Sequence, residues 1–231
     1  MFPFHPTRGA ATSLRVLARL LRYPDAQLRE QLPALRAALH EARALSTARL
    51  AELDRLIAAI GRADAHAAES DYVELFDRGH STSLHLFEHV HGDSRDRGPA
   101  MIDLAQTYQQ AGLWLAEGEL PDHLPVVLEY ASTQPARAAR EFLGELAHIL
   151  NALNAALQQR GSVYAAVPTA LLELAGEAVQ PVPVAADAPI DVEWSEPPVF
   201  DGCSSKGQAR PEQPQPINIV RSRGHIEGAR P

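Results

Sequence analysis

The chain has 231 residues, a formal charge of −8 and 45% hydrophobic residues, the length of one domain or of one domain and a tail. Its acidic balance excludes the basic face of a nucleic-acid binder and disfavours adsorption to an anionic membrane. A single cysteine, Cys203, excludes a disulfide scaffold and provides no set of thiols for a metal.

The opening MFPFHPTRGAATSLRVL lacks the basic-then-apolar order of a signal peptide. No apolar run approaches the roughly 20 residues that cross a bilayer. The expectation is a soluble, cytoplasmic protein with no direct membrane insertion.

From residue 13 to about 175 the sequence reads as helix after helix, rich in Ala, Leu, Glu, Arg and Gln. TSLRVLARLLRY places Leu14, Val16, Leu17, Leu20 and Leu21 on one stripe, with Thr12 or Ser13 as N-cap and Pro24 as stop. A second helix starts near Pro33, and a third is capped by Ser46 and ended by Gly61. DAHAAESDYVELFDRG carries Tyr72, Leu75 and Phe76 near its end, with Gly79 just beyond. STSLHLFEHVHG is capped by Ser81 or Thr82 and stops at Gly92. GPAMIDLAQTYQQAG has Pro99 in its first turn and Gly112 after its last.

LPDHLPVVLEYAS can begin at Pro121, which a first turn tolerates. Pro125 then makes it start late or kink. PARAAREFLGELAHILNALNAALQQRG is the longest stripe, and PTALLELAG closes the set. No alternating strand pattern, phosphate loop or internal repeat is present. The expected fold is all-α: a single bundle of about seven to nine helices over residues 1–176, with short connections. Half of the 18 prolines lie beyond Gly176, so residues 177–231 read as a Pro-rich extended or disordered tail. Within it, Val192–Trp194 and Ile217–Val220 are apolar islands that could dock on the bundle or a partner.

His85-Leu-Phe-Glu88-His89 spells H-x-x-E-H, a zinc peptidase pattern. On a helical wheel at about 100° per residue, Leu84, Leu86, Phe87 and Val90 form an apolar arc. Glu88, His85 and His89 fall on the opposite arc, so two histidines at i and i+4 could share a metal, as in a zinc-dependent hydrolase. Against this, the helix stops within a turn at Gly92. The only third ligands on offer are Glu141 or Glu145, ordinary acidic residues of a later helix. The competing reading is a surface arc followed by a tight connection, GDSRDRGP, in which Asp93, Asp96, Arg95 and Arg97 pair locally. That reading prevails, with no catalytic and no metal-binding residue.

The same stretch carries a resemblance. YVELFDRG…SLHLFEHVHGDSRDRGPAMIDLAQTYQQAGL, residues 72–113, resembles the signature region of NarJ-type chaperones, assembly factors of respiratory nitrate reductase. LLRYPDAQLRE (20–30), LPDHLPVVLEYAS (120–132) and the Pro-rich tail are similar to further blocks of that family. The wider redox-enzyme maturation group has two loose patterns here. Tyr72, Leu75 and Phe76 match aromatic-x-x-Leu-Phe. Glu119, Pro121, Asp122 and His123 match an acidic residue before Pro-Asp-His.

The resemblance implies an all-helical chaperone, not an enzyme. It implies binding to the apo catalytic (alpha) subunit of nitrate reductase and to its N-terminal, leader-like peptide. It also implies prevention of premature membrane docking, with molybdenum cofactor inserted into the client rather than held by the chaperone. The expected site is a groove lined by Leu75, Phe76, Phe87 and Tyr108, beside Tyr72 and Pro121. Its rim would hold Glu88, His89, Glu119, Asp122 and His123, with Asp122 and His123 near the surface. A histidine at 89 or 123 beside bound peptide would make release depend on pH. Exposed apolar stripes are compatible with a monomer or a dimer.

Overall fold

The computed structural model describes residues 8–78, 80–91 and 94–183. Gly79, Gly92, Asp93 and the sequence from Val184 onward lie outside the described residues. The expectations for the tail, its two apolar islands and Cys203 therefore fall outside them too.

All regular structure among the described residues is helical. α1 spans Arg8–Leu20, starting earlier than Thr12 or Ser13 suggested; Ser13 is buried inside it. α2 spans Ala26–Ala42. Asp25 caps it, accepting from the Leu28 N–H at 2.7 Å, so the helix forms seven residues before Pro33, which it contains. α3 spans Thr47–Arg62, capped by Ser46 as the sequence indicates, but it runs through Gly61 rather than stopping there. α4 spans Ala65–Phe76; its cap, Asp64, accepts from His66 and Ala67 N–H.

A short 3₁₀ turn, His80–Thr82, precedes α5, Leu86–His91. Ser81 and Thr82 therefore do not cap α5, and Leu84 and His85 precede its first turn. α6 spans Arg97–Gln110, with Pro99 in its first turn as expected. α7 spans Leu124–Thr133. Pro125 sits at its N-terminus, so the helix starts late and Pro121 lies outside it.

The longest predicted stripe is two helices, α8 (Ala136–Glu145) and α9 (Ala147–Gln159), divided at Leu146 just after Gly144. Glycine's poor helix propensity accounts for the weak point. After a 3₁₀ turn at Val163–Ala165, α10 spans Ala166–Ala175. Residues 177–183 carry no regular structure.

α10 is buried on nearly all sides and packs on α9, α8 and α3. A helix apolar all round belongs at the centre. α1 packs on α7 and α2, and a continuous core runs from Leu14 to Leu174. Tyr23, Tyr72, Phe76 and Tyr164 stack edge to face, with Tyr72 and Phe76 rings 4.9 Å apart.

Two glycines give opposite expectations. Gly176 closes α10 in the left-handed region at φ 77°, and a Cβ there would collide with the Arg140 guanidinium, which caps the Ala175 carbonyl at 2.9 Å. Gly61 lies in the last turn of α3 with helical backbone, and its added Cβ would meet only Leu32 Cδ1 at 3.5 Å. Gly176→Ala should lower unfolding free energy by about 1–2 kcal/mol, whereas Gly61→Ala should raise it by about 0.5 kcal/mol. Urea denaturation of both variants against the parent checks the two signs.

Candidate functional site

The segment before α5 and the segment before α7 cross once as an antiparallel pair, His85 opposite His123. Leu86 N–H donates to the Asp122 carbonyl at 3.0 Å, and Leu124 N–H donates to the Leu84 carbonyl at 2.8 Å. Asp122 lies in this crossing and is 0% exposed. One carboxyl oxygen sits 3.2 Å from His85 Nδ1, and the other accepts from the Phe87 N–H at 3.2 Å. Arg97 at the start of α6 approaches the same carboxyl at 3.9 Å and Glu88 at 3.3 Å.

This corrects one expectation directly. Asp122 is not on a surface rim; it is a buried acceptor that holds α5 and the start of α6 to the entry of α7. A buried polar group must be hydrogen-bonded to be tolerated, and this one is. The H-x-x-E-H pattern is corrected by the same geometry. His85 stands outside the helix with its ring toward Asp122, while His89 Nε2 donates to the Ser83 carbonyl at 2.9 Å. The two do not face one another across a helical turn. Among the described residues, no three His, Cys, Asp or Glu side chains are grouped as a metal site requires.

The imidazoles of His85 and His123 stack with centroids 5.1 Å apart. The hydrogen bond to Asp122, outweighing partial burial, raises the His85 pKa. Burial, with the positive charges of His85 and Arg22, depresses His123 to about 4 even though Glu119 lies 3.7 Å away. A proton entering this pair therefore rests on His85. Glu119 pairs closely with Arg22, which also reaches Glu129 at 3.3 Å. Burial pushes the Glu119 carboxyl up, but Arg22 and His123 outweigh it and hold it below its ordinary value.

The anticipated groove residues separate. Tyr72 and Phe76 belong to the buried aromatic cluster, with the Tyr72 hydroxyl donating to the Leu21 carbonyl at 2.7 Å. Tyr108 is buried elsewhere: its hydroxyl donates to the Pro121 carbonyl at 2.8 Å, and its ring packs on Tyr130 at 4.7 Å. Leu75, Phe87, Glu88 and His89 are half-buried, and Pro121 is buried. Leu75 lines a pocket between α3, α4 and the 3₁₀ turn at Val163, whereas Tyr108 lines a different one.

The Tyr108 pocket has a volume of about 470 Å³. Its walls are Tyr108, Leu113 and Trp114 on one side, Val126 and Tyr130 of α7 on the other, with Glu129 at the edge. Trp114 is 79% exposed, and Glu129 is 58% exposed. Sequence reading missed Trp114, Tyr130, Glu129 and Arg22. Only helical spacing signals part of it: Glu129 and Tyr130 stand at i+3 and i+4 from Val126, flanking its side of α7.

Comparisons with known proteins follow the same lines. The family described as nitrate reductase delta subunit matches residues 21–169. The nitrate reductase molybdenum cofactor assembly chaperone NarJ of Escherichia coli (strain K12) is 46% identical over 166 residues, 72% of this chain and 70% of that protein. The Bacillus subtilis (strain 168) protein assigned as NarJ is 31% identical over 169 residues, 72% of this chain and 89% of its own length. A solved chain from Archaeoglobus fulgidus, assigned to the redox enzyme maturation proteins, superposes with a TM-score of 0.54 at 20% identity, covering 77% of this chain and 98% of that one.

The fold is therefore the all-helical fold of that solved chain. By family the chain belongs to the NarJ-type nitrate reductase assembly chaperones, which are not enzymes.

The crossing gives two expectations. Asp122→Ala should cost about 2–4 kcal/mol, because His85, the Phe87 N–H and Arg97 lose a shared buried acceptor; thermal denaturation measures it. The pH dependence has two arms. Between pH 6.5 and about 4 the unfolded chain takes up a proton that folded His123 refuses, so stability falls as pH falls, by up to roughly 3 kcal/mol. Above 6.5 folded His85 retains a proton that the unfolded chain releases, so its contribution is lost as pH rises through its raised pKa. The pair should give a stability maximum near pH 6.5, and His123→Asn should flatten the acid arm alone in denaturant titrations across pH.

Proposed function

We propose that this protein is a system-specific, cytoplasmic chaperone for the apo catalytic subunit of nitrate reductase. It binds the subunit together with its basic, leader-like N-terminal segment. It delays docking on the membrane partner while molybdenum cofactor enters the client, and it then departs. The cofactor belongs to the client throughout. Support for the client class comes from the relatives, named as molybdenum cofactor assembly chaperones of nitrate reductase.

The observation that carries the site is the pocket between α1, the irregular segment 113–115 and α7. It combines apolar walls, an exposed tryptophan and an acidic edge at Glu129, with Glu119 nearby through Arg22. An amphipathic helix with basic residues suits such a surface: apolar anchors enter the pocket while its cations meet the edge. The chain's charge of −8 adds long-range attraction. Among the described residues, no helix is long and apolar enough to cross a membrane. Aromatic anchors dominate interfaces of this kind, and Trp114 is already presented to solvent.

Of the earlier site residues, Tyr108, Glu119 and Pro121 lie at or beside this pocket. Tyr72, Phe76 and Asp122 act from within, by fixing the helices that shape it. Release requires moderate affinity, micromolar to nanomolar, or about 8–12 kcal/mol, because ordering a flexible peptide offsets part of the gain.

Calorimetric titration with the N-terminal peptide of the cognate catalytic subunit tests the reading. Trp114→Ala and Glu129→Lys should each weaken binding about tenfold or more, with unchanged thermal stability. No heat of binding to the parent protein, or full affinity in both variants, removes the pocket from the mechanism.

A further inference from the structure

We propose that α6 is a hinged arm over the client-binding pocket, and that a docking client helix swings its N-terminal end outward about Tyr108. The proposal rests on the peptide-binding reading above and adds the moving part that this reading lacks.

α6 is fourteen residues long, yet Tyr108 is its one fully buried residue. Among the described residues no other helix lies closely along it. It is fastened at its two ends, and the fastenings differ in kind. At the C-terminal end the Tyr108 hydroxyl donates to the Pro121 carbonyl and the ring packs on Tyr130. Leu113 N–H then donates back to the Tyr108 carbonyl at 2.9 Å, across Gly112 at φ 78°. That end is buried, neutral and packed. At the N-terminal end Asp96 makes no side-chain capping bond, and the tie to the body among the described residues is Arg97, part-exposed, reaching Glu88 and Asp122.

Two long contacts, at 3.3 and 3.9 Å from a part-exposed guanidinium, hold weakly compared with a buried, hydrogen-bonded ring. Letting Arg97 go also strands nothing, because Asp122 keeps His85 and the Phe87 N–H. The Arg97 end therefore opens first and the Tyr108 end serves as the pivot. Elements with few buried contacts open locally at little cost.

What opening would expose fits the client. Met101, Leu104, Ala105 and Tyr108 stand at i, i+3, i+4 and i+7 on one face. The first three are only half-buried, and neighbouring Ile102 is 59% exposed. The closed pocket, about 470 Å³, accommodates a few side chains. A three-turn client helix is about 16 Å long. Swinging α6 away from α5 would extend the apolar trough from Tyr108 to Met101, a further ~10 Å at helical rise.

Hydrogen–deuterium exchange on the full chain tests this, with and without a synthetic peptide of the first twenty residues of the cognate catalytic subunit. Arg97→Ala and the milder Arg97→Gln loosen the tie. α6 amides should exchange at least tenfold faster than those of α1 and α7, and several-fold faster again in the Arg97 variants, with the melting temperature unchanged. Peptide should alter exchange in α6 more than in any other helix. An α6 as protected as α1 and α7, or indifferent to loss of Arg97, overturns the arm. So does a peptide that binds by calorimetry and leaves α6 exchange unaltered. A peptide that does not bind at all overturns the client-binding reading instead, and the arm falls with it.

Discussion

The buried carboxyl of Asp122 is the constraint on which the functional half of the molecule depends. Placing it at 0% exposure is tolerable because it is hydrogen-bonded to His85 and the Phe87 amide, with the Arg97 guanidinium further out at 3.9 Å. These groups come from the entry to α5, from α5 and from α6, whereas Asp122 itself leads into α7. One side chain thus fixes the relative position of three helices that have little direct packing between them. It also fixes the Pro121 carbonyl, the acceptor of the Tyr108 hydroxyl, and through it the wall of the pocket.

From that carboxyl a line of charge runs to the pocket edge. His85 touches Asp122 and stacks on His123; His123 faces Glu119; Glu119 shares Arg22 with Glu129. His123 is a neutral link in this line and Arg22 offsets Glu119, which leaves Glu129 as its exposed end. A cation brought by a client would compete with Arg22 for Glu129. That competition suits the proposed role of this surface, to bind and later release.

Much of the fold was legible because helix-forming composition and apolar period agree along the chain. The third helix was read correctly at Ser46, and the late start of α7 followed from Pro125. Misplaced boundaries have local causes. Asp25 caps α2 strongly enough that the helix carries Pro33 within it, Gly61 is absorbed into α3, and Gly144 divides a stripe whose period gives no warning. The site was less legible. The Pro-Asp-His block was read as surface because its residue types are polar, yet burial depends on a long-range crossing with His85 that no local pattern encodes. Tyr108 and Phe76 share residue class and family block but serve separate aromatic clusters, a distinction visible only in three dimensions. Trp114 carries no periodic signal, since it stands in the irregular connection between α6 and α7.

The position of α10 bears on how the protein is made. It is the most enclosed helix and the last of the described set, lying against α3, α8 and α9. During synthesis the earlier helices must wait, with leucine-lined faces uncovered, until residues 166–175 leave the ribosome and slot between them. Contacts between α3 and α10 span more than a hundred residues, and such distant pairings slow folding. An assembly chaperone thus passes through an aggregation-prone stage of its own.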